Sequence, residues 1–268
     1  MSDLIKAVLL GIVEGITEFL PISSTGHLIL FNQFIAFDEA FTKMFDVVIQ
    51  LGAILSVVVL FRKRLFPSGA EISGFSRGEA LDLWKKTIVG VLPALIVGAL
   101  LHRKIEAALF NPIGVSVALA IGGVALIVLE GIRIPERIHS VSSLSYKTAL
   151  FIGLVQCLAM IPGTSRSAAT IIGARLLGCT RVVAVEFSFF LAIPTMAAAS
   201  AFSLYKGGLA MTGAQAAVLA AGFAVSFAVA WIVVAAFIKY VSKKNFKPFG
   251  YYRIVLAAVV LIYFYFIH

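Results

Sequence analysis

Residues 11–27 read GIVEGITEFLPISSTGH, Gly11 to His27. The segment is apolar enough to enter a membrane, yet it carries Glu14, Glu18, Ser23, Ser24, Thr25 and His27. A charged carboxylate at the centre of a bilayer costs roughly 2.5–3.5 kcal/mol on insertion scales, so such residues face a watery cavity or a partner. Glu14 and Glu18 are four residues apart and, on a helix, share one face. Two like charges that close in a low dielectric cannot both stay ionised without a cation or a shared proton. The residues Ser23 to His27 add hydroxyls and an imidazole at a chain reversal, where backbone N–H groups form an anion-binding concavity. The stretch reads as half of a site buried in a membrane. The other half is Ile161–Thr170, IPGTSRSAAT, in which Arg166 supplies a guanidinium fork beside a glycine and hydroxyls leading into a helix N-terminus.

Composition sets the class. Of 268 residues, 61% are hydrophobic and 13% charged, with a mean hydropathy of +1.04, whereas soluble domains carry about 25% charged residues. Several apolar runs approach the ~20 residues that cross a bilayer as a helix, and the short alternating segments of a membrane barrel are missing. The expected fold is an all-α integral membrane protein, one membrane domain over residues 1–268, surrounded by membrane lipids. A net charge of +9 does not point to nucleic acid, because the basic residues fall between apolar runs, where topology accounts for them. Cys157 and Cys179 lie in apolar surroundings without metal-ligand spacing and read as inert thiols. The start, MSDLIKAVLL, has neither a basic n-region nor a small-x-small site, so no cleaved signal peptide is expected.

The chain contains a repeat. Leu4–Leu20 ends at Pro21 and the apolar pattern resumes over His27–Phe37; neither half spans, and the pair fits a re-entrant helical hairpin. Spans are expected at about Phe45–Phe61, Thr87–Leu101 and Ile113–Ile132. The second half repeats the plan: short runs Ala149–Ile161 and Ala168–Leu177 flank a polar tip, followed by spans near Val183–Leu204, Ala214–Ile238 and Ile254–Ile267. Gly11-Ile12-Val13-Glu14 matches Gly153-Leu154-Val155-Gln156, and Pro21-Ile22-Ser23-Ser24 matches Pro162-Gly163-Thr164-Ser165. Asp46 to Leu51 answers Glu186 to Leu191. Matches in one order at nearly constant offset indicate duplication, with repeat 1 at about 1–132 and repeat 2 at about 148–268.

Three spans and a hairpin per half give an odd number of crossings, so the two copies insert with opposite orientation, an inverted-topology repeat. With the loop Arg62–Lys86 cytoplasmic, that side collects 16 of the 22 lysines and arginines, Arg253 among them. Five fall opposite (Lys6, Lys43, Arg103, Lys104, Lys206), and Arg166 sits in the second tip. This is the positive-inside bias. The first hairpin then enters from outside and the second from the cytoplasm, and their tips meet near the midplane.

His102, His139 and His268 stand at the ends of apolar runs, where interfacial solvation accounts for them. The aromatic residues read as lipid-facing or packing groups. Asp46, Gln50 and Glu186 stay open between support for the site and a place near a span end.

At EGITEFLPISSTGH (Glu14 to His27) and PGTSRSAATI (Pro162 to Ile171) the chain resembles the undecaprenyl pyrophosphate phosphatase family, also described as bacitracin-resistance proteins. The resemblance covers essentially the whole chain. It implies removal of the terminal phosphate from undecaprenyl pyrophosphate, giving the lipid carrier used in peptidoglycan and other envelope glycans, at the bacterial cytoplasmic membrane with the site open to the outer side. The expected roles are a grip on the pyrophosphate by Arg166 and the tip residues Ser23, Thr25, Gly163, Thr164, Ser165 and Ser167, with a divalent cation, Mg²⁺ or Ca²⁺, held by Glu14 and Glu18. Three nucleophiles stay open: Ser24 activated by His27 or Glu18, His27 itself, or a metal-activated water, with Ser24 or His27 ahead of water. The competing class is a transporter of polyprenyl-phosphate lipid, since inverted repeats with broken helices also build transporters. Small residues at Gly122-Gly123 and Ala197–Ala201 permit close helix packing, within the chain or in a homodimer.

Overall fold

The computed structural model describes residues 1–67, 76–207 and 211–266; His268, part of the long polar loop, and the side chains of His102, Arg103 and Lys206 lie outside the described parts. Among the described residues the structure is helical, apart from one bridge between Ile138 and Cys179. The helices are α1 (Asp3–Thr17), α2 (Ser24–Ile35), α3 (Glu39–Leu60), α4 (Arg62–Leu65), α5 (Arg77–Leu109) and α6 (Pro112–Leu129). There follow α7 (Tyr146–Gln156), which tightens into a 3₁₀ turn over Cys157–Met160, then α8 (Arg166–Leu176), α9 (Arg181–Gly207), α10 (Gly213–Val241) and α11 (Lys247–Phe266).

Six helices, α3, α5, α6, α9, α10 and α11, are long and apolar enough to cross a membrane. Large apolar side chains such as Leu100, Ile121 and Ile232 point outward from them, as lipid contact requires. By contrast α1, α2, α7 and α8 have 15, 12, 11 and 11 residues. At 1.5 Å per residue they reach only about 16–22 Å, short of a hydrocarbon core of about 30 Å.

Local chemistry sets the starts. Asp38 accepts from Phe41 N–H ahead of α3, and Asn111 accepts from Gly114 N–H with Pro112 at the first position of α6. Thr212 and Gln215 form a reciprocal capping box on α10. Two helices begin earlier than the apolar pattern suggests: α5 at Arg77 instead of Thr87, and α11 at Lys247 instead of Ile254. In α5 the added turns are amphipathic, with Asp82 paired to Lys86 one turn on, so the helix continues where hydropathy falls.

The packing interleaves the two halves of the chain. α10 lies along both α1 and α3, α7 lies along α5, α6 pairs with α11, and α3 crosses α9. The seams of α10 with α1 and α3, of α5 with α7 and of α6 with α11 are cut for glycine. A Cβ on Gly15 would stand 2.8 Å from the Ser226 carbonyl oxygen, one on Gly52 2.4 Å from that of Phe223, and one on Gly153 2.0 Å from that of Gly90. Without a hydrophobic drive between helices in lipid, such backbone approach supplies the van der Waals gain that holds them together. Gly122 and Gly123 serve the same purpose within the chain, against Arg253 and Gly250 of α11.

Gly153→Ala should therefore force α5 and α7 apart and lower stability by about 1–3 kcal/mol. Thermal unfolding in detergent should show a reduced midpoint; an unchanged midpoint would contradict the seam.

Candidate active site

Two chain reversals meet in the interior. The first runs from the end of α1 through Glu18 to Ile22 and enters α2; the second runs from Ile161 to Ser165 and enters α8. Both use the same backbone device. Ser23 (φ 72°) and Ser165 (φ 70°) are the only non-glycine residues with positive φ among those described, a conformation that L side chains adopt at a cost of about 1–3 kcal/mol. Each caps its helix: Ser23 Oγ accepts from Gly26 N–H and Ser165 Oγ from Ala168 N–H, both at 3.3 Å.

The letter match sets Ser24 against Ser165; by backbone conformation and capping role it is Ser23 that parallels Ser165, and Ser24, the first residue of α2, parallels Arg166, the first of α8. The second tip holds one more residue after its proline, and Gly163 absorbs it at φ +93°, where a Cβ would stand 2.4 Å from the Val115 carbonyl oxygen. Matching letters by identity has no access to backbone geometry, which is what aligns the tips.

Ser24 and Arg166, each the first residue of its helix, converge on one carboxylate. Ser24 Oγ donates to Glu18 Oε2 at 2.7 Å, and Arg166 Nη2 donates to Glu18 Oε1 at 3.3 Å. Arg166 is held from behind: Nη1 donates to the Ser188 carbonyl at 2.9 Å, and the guanidinium lies 5.9 Å from the Phe19 ring centre. Phe19 itself stands edge-on to Phe189 at 5.1 Å. Arg166 Nε is buried and has no hydrogen-bond partner.

A cavity of about 160 Å³ opens beside this cluster. Of the residues expected at the site, Glu18, Ser23, Ser24, Thr25, Gly163, Ser165 and Arg166 line it, joined by Gln50 and by Ala159 and Met196, which the sequence did not single out. The remaining four stand elsewhere. Glu14 is fully buried one turn before Glu18, with neither carboxylate oxygen hydrogen-bonded, and Glu18, Asp46 and Arg166 are its electrostatic neighbours. Ser167 is buried and donates to the Leu20 carbonyl at 2.8 Å, tying tip to tip instead of facing the cavity. The Thr164 side chain lies outside the lining, at a turn closed by its own N–H to Ile161 O.

His27 is also turned away. Nδ1 lies 2.7 Å from the Ser23 carbonyl oxygen and Nε2 2.7 Å from the Tyr252 hydroxyl. A carbonyl only accepts, so Nδ1 carries the proton, and in the neutral ring Nε2 accepts from Tyr252. The imidazole thus supports the strained Ser23 peptide, and Glu18, not His27, is hydrogen-bonded to the Ser24 hydroxyl.

Residues 7–259 match the family described as Bacitracin resistance protein BacA. The chain belongs to this family. The matched range contains both tips and every cavity residue. Relatives named Undecaprenyl-diphosphatase include proteins of Limosilactobacillus fermentum (50% identical, 98% of each chain covered) and Enterococcus faecalis (49%, with 97% of this chain and 96% of the relative). The Undecaprenyl-diphosphatase 1 of Clostridioides difficile is 48% identical, covering 99% and 97%.

Two residues beside the tips escaped the sequence reading, Tyr252 and Arg253. Charge counting places Arg253 among the cytoplasmic loop residues, but it is completely buried in α11 and bonds to both tips. The signal was present in FGYYRIVLAAVV, an arginine embedded in an apolar and aromatic run; extending the helix back to Lys247 would have placed it inside the span.

The tip-to-tip contact predicts that Ser167→Ala, which leaves the Leu20 carbonyl without this donor, costs about 1–3 kcal/mol. Thr164→Ala, outside the cluster, should stay within about 0.5 kcal/mol of wild type. Equal thermal midpoints for the two variants would contradict the assignment.

Proposed function

We propose that the protein hydrolyses undecaprenyl diphosphate to undecaprenyl phosphate and inorganic phosphate, recycling the lipid carrier of cell-wall synthesis. The names of its relatives and of its family support this reading, and so does one feature of the site: a single carboxylate holds a hydroxyl and a guanidinium at the N-termini of two helices. Helix N-termini favour phosphate, and phosphoryl transfer is catalysed mainly by positioning and charge stabilisation.

The residues support a two-step displacement. The terminal phosphate takes the cavity, met by Arg166, whose Nε is free to donate, and by the first N–H groups of α2 and α8. Ser24 Oγ attacks the terminal phosphorus as its proton passes to Glu18 Oε2. The bond from that phosphorus to the bridging oxygen breaks, and undecaprenyl phosphate leaves with the electron pair. Glu18 gives that proton up to the departing undecaprenyl phosphate. Water then attacks the phosphoserine, giving its proton to Glu18, and as the phosphorus–Oγ bond breaks Glu18 returns this proton to Ser24 Oγ and phosphate departs. Gln50 reaches the same cavity and offers an amide donor to the bound diphosphate.

The buried, unpaired oxygens of Glu14 beside Glu18 fit a cation site. Glu14 and Glu18 would hold Mg²⁺ or Ca²⁺, which when bound offsets the negative charge of the diphosphate.

The inverted-repeat reading draws support from the packing. If α1, α2, α3, α5 and α6 exchange with α7, α8, α9, α10 and α11, the contact of α1 with α10 becomes that of α7 with α5, and the pairs α3 with α9 and α6 with α11 map onto themselves. The short pairs α1/α2 and α7/α8 then act as re-entrant hairpins entering from opposite sides. The basic stretches Arg62–Arg64, Lys85-Lys86 and Lys239–Lys247 favour the cytoplasm for their side, which opens the first tip outward. The same exchange of halves is what would favour the second reading, transport of the lipid across the membrane.

Purified protein should release phosphate from undecaprenyl diphosphate. Chelator, Glu18→Gln and Arg166→Ala should each reduce that release at least about 100-fold, the usual scale for losing a group that stabilises transition-state charge. Folded wild-type protein that binds the lipid without releasing phosphate would replace hydrolysis with transport.

A further inference from the structure

Arg253 is completely buried, and its partners are backbone carbonyls. Nε donates to Leu119 O at 3.2 Å and Nη2 to Ala118 O at 3.2 Å, both in α6. Nη1 donates to Pro21 O at 3.3 Å and Nη2 to Gly163 O at 3.0 Å. One guanidinium thus holds the first tip, the second tip and a spanning helix. No described ion pair neutralises it. Arg253 and Leu119 are the seventh and eighth residues of α11 and α6, about 10 Å from the helix ends at 1.5 Å per residue, so the tie is made within both helices.

A buried cation is retained only where something requires it, since desolvating it costs several kcal/mol. The structure makes room for this one. A Cβ on Gly122 would stand 2.3 Å from Arg253 Nη2 and one on Gly123 3.1 Å from Arg253 Cβ, so two consecutive glycines of α6 form its slot. The carbonyls it binds are not ordinary loop groups. Gly163 lines the cavity with positive φ, and Pro21 precedes Ile22 and the strained Ser23. The fork geometry of arginine suits this task, because several donors in fixed directions define several acceptors at once.

We propose that Arg253 is a positioning residue of the site, a cationic tie that fixes both tips to α6 and so sets Ser24 and Arg166 at the spacing that Glu18 bridges. It acts on the reaction through those groups and does not itself line the cavity. This rests on the diphosphatase reading of the cavity.

Steady-state kinetics of Arg253→Lys, Arg253→Met and Gly122→Ala provide the test. Each is expected to lower kcat by about 100-fold, the scale of an ångström-level misplacement of reacting groups, with KM changed less than about threefold. Gly122→Ala matters because it displaces the guanidinium without altering the charge count. Glu186→Gln, which weakens the pair with Arg64 on helices that do not touch Arg253, should lower the thermal midpoint and keep kcat, separating loss of position from loss of stability. Combining Arg253→Lys with Arg166→Lys should cost much less than the product of the two single effects.

A second readout does not depend on turnover. In a Cys157→Ser, Cys179→Ser background, a Thr25→Cys reporter in the first tip should react with a water-soluble maleimide at least tenfold faster when Arg253→Lys is added. Wild-type kcat in the Arg253→Lys and Gly122→Ala variants, multiplicative effects with Arg166→Lys, or an unchanged labelling rate would overturn the tie. Failure of wild-type protein to release phosphate would instead overturn the diphosphatase reading, leaving the labelling arm to judge the tie.

Discussion

Everything in the interior converges on the carboxylate of Glu18, 8% exposed and gripped by groups from two distant parts of the chain. A charge at this depth must be paired, and the available partners are the first residues of α2 and α8. Bringing those two helix starts together requires tight reversals, and both tips reach them through serines held at positive φ. The strain persists because the surroundings overdetermine it: His27 on the Ser23 carbonyl, Ser167 on Leu20, and Arg253 on Pro21 and Gly163. The same arrangement that satisfies Glu18 presents a hydroxyl, a guanidinium and two helix N-termini to one small cavity, which is the set of groups a diphosphate calls for.

The rest of the fold surrounds the short helices with protein, as the proposed re-entrant hairpins require. Polar backbone at that depth survives only where protein or water surrounds it, and the glycine seams draw α1 against α10 and α7 against α5 closely enough to provide the wall. α6 runs under both tips, touching Gly163 through Val115 and Gly26 through Leu119. The apolar faces that remain outside are the ones lipid covers.

Much of this was legible in the sequence, for identifiable reasons. Acids, hydroxyls and an arginine inside apolar runs are conspicuous because lipid penalises them, so Glu18, Ser24 and Arg166 stood out, and the six long helices followed from hydropathy. Roles within the motifs were less legible. His27 and Ser167 belong to the same strings as Ser24 and Arg166, but a side chain's direction depends on the backbone at the tip, and one extra residue in the second tip shifted the apparent correspondence. Arg253 was hidden for a different reason. Charge counting treats an arginine near the start of an apolar run as a loop residue, while a helix that begins two turns earlier carries it into the interior.

The most direct measurement is an experimental structure with a non-hydrolysable polyprenyl methylenediphosphonate bound. The account places the terminal phosphonate in the cavity between the Ser24 hydroxyl and the Arg166 guanidinium, against Glu18, with Arg253 still bonded to Pro21 and Gly163. A diphosphonate seated away from the two tips, or tips that separate when it binds, would contradict it.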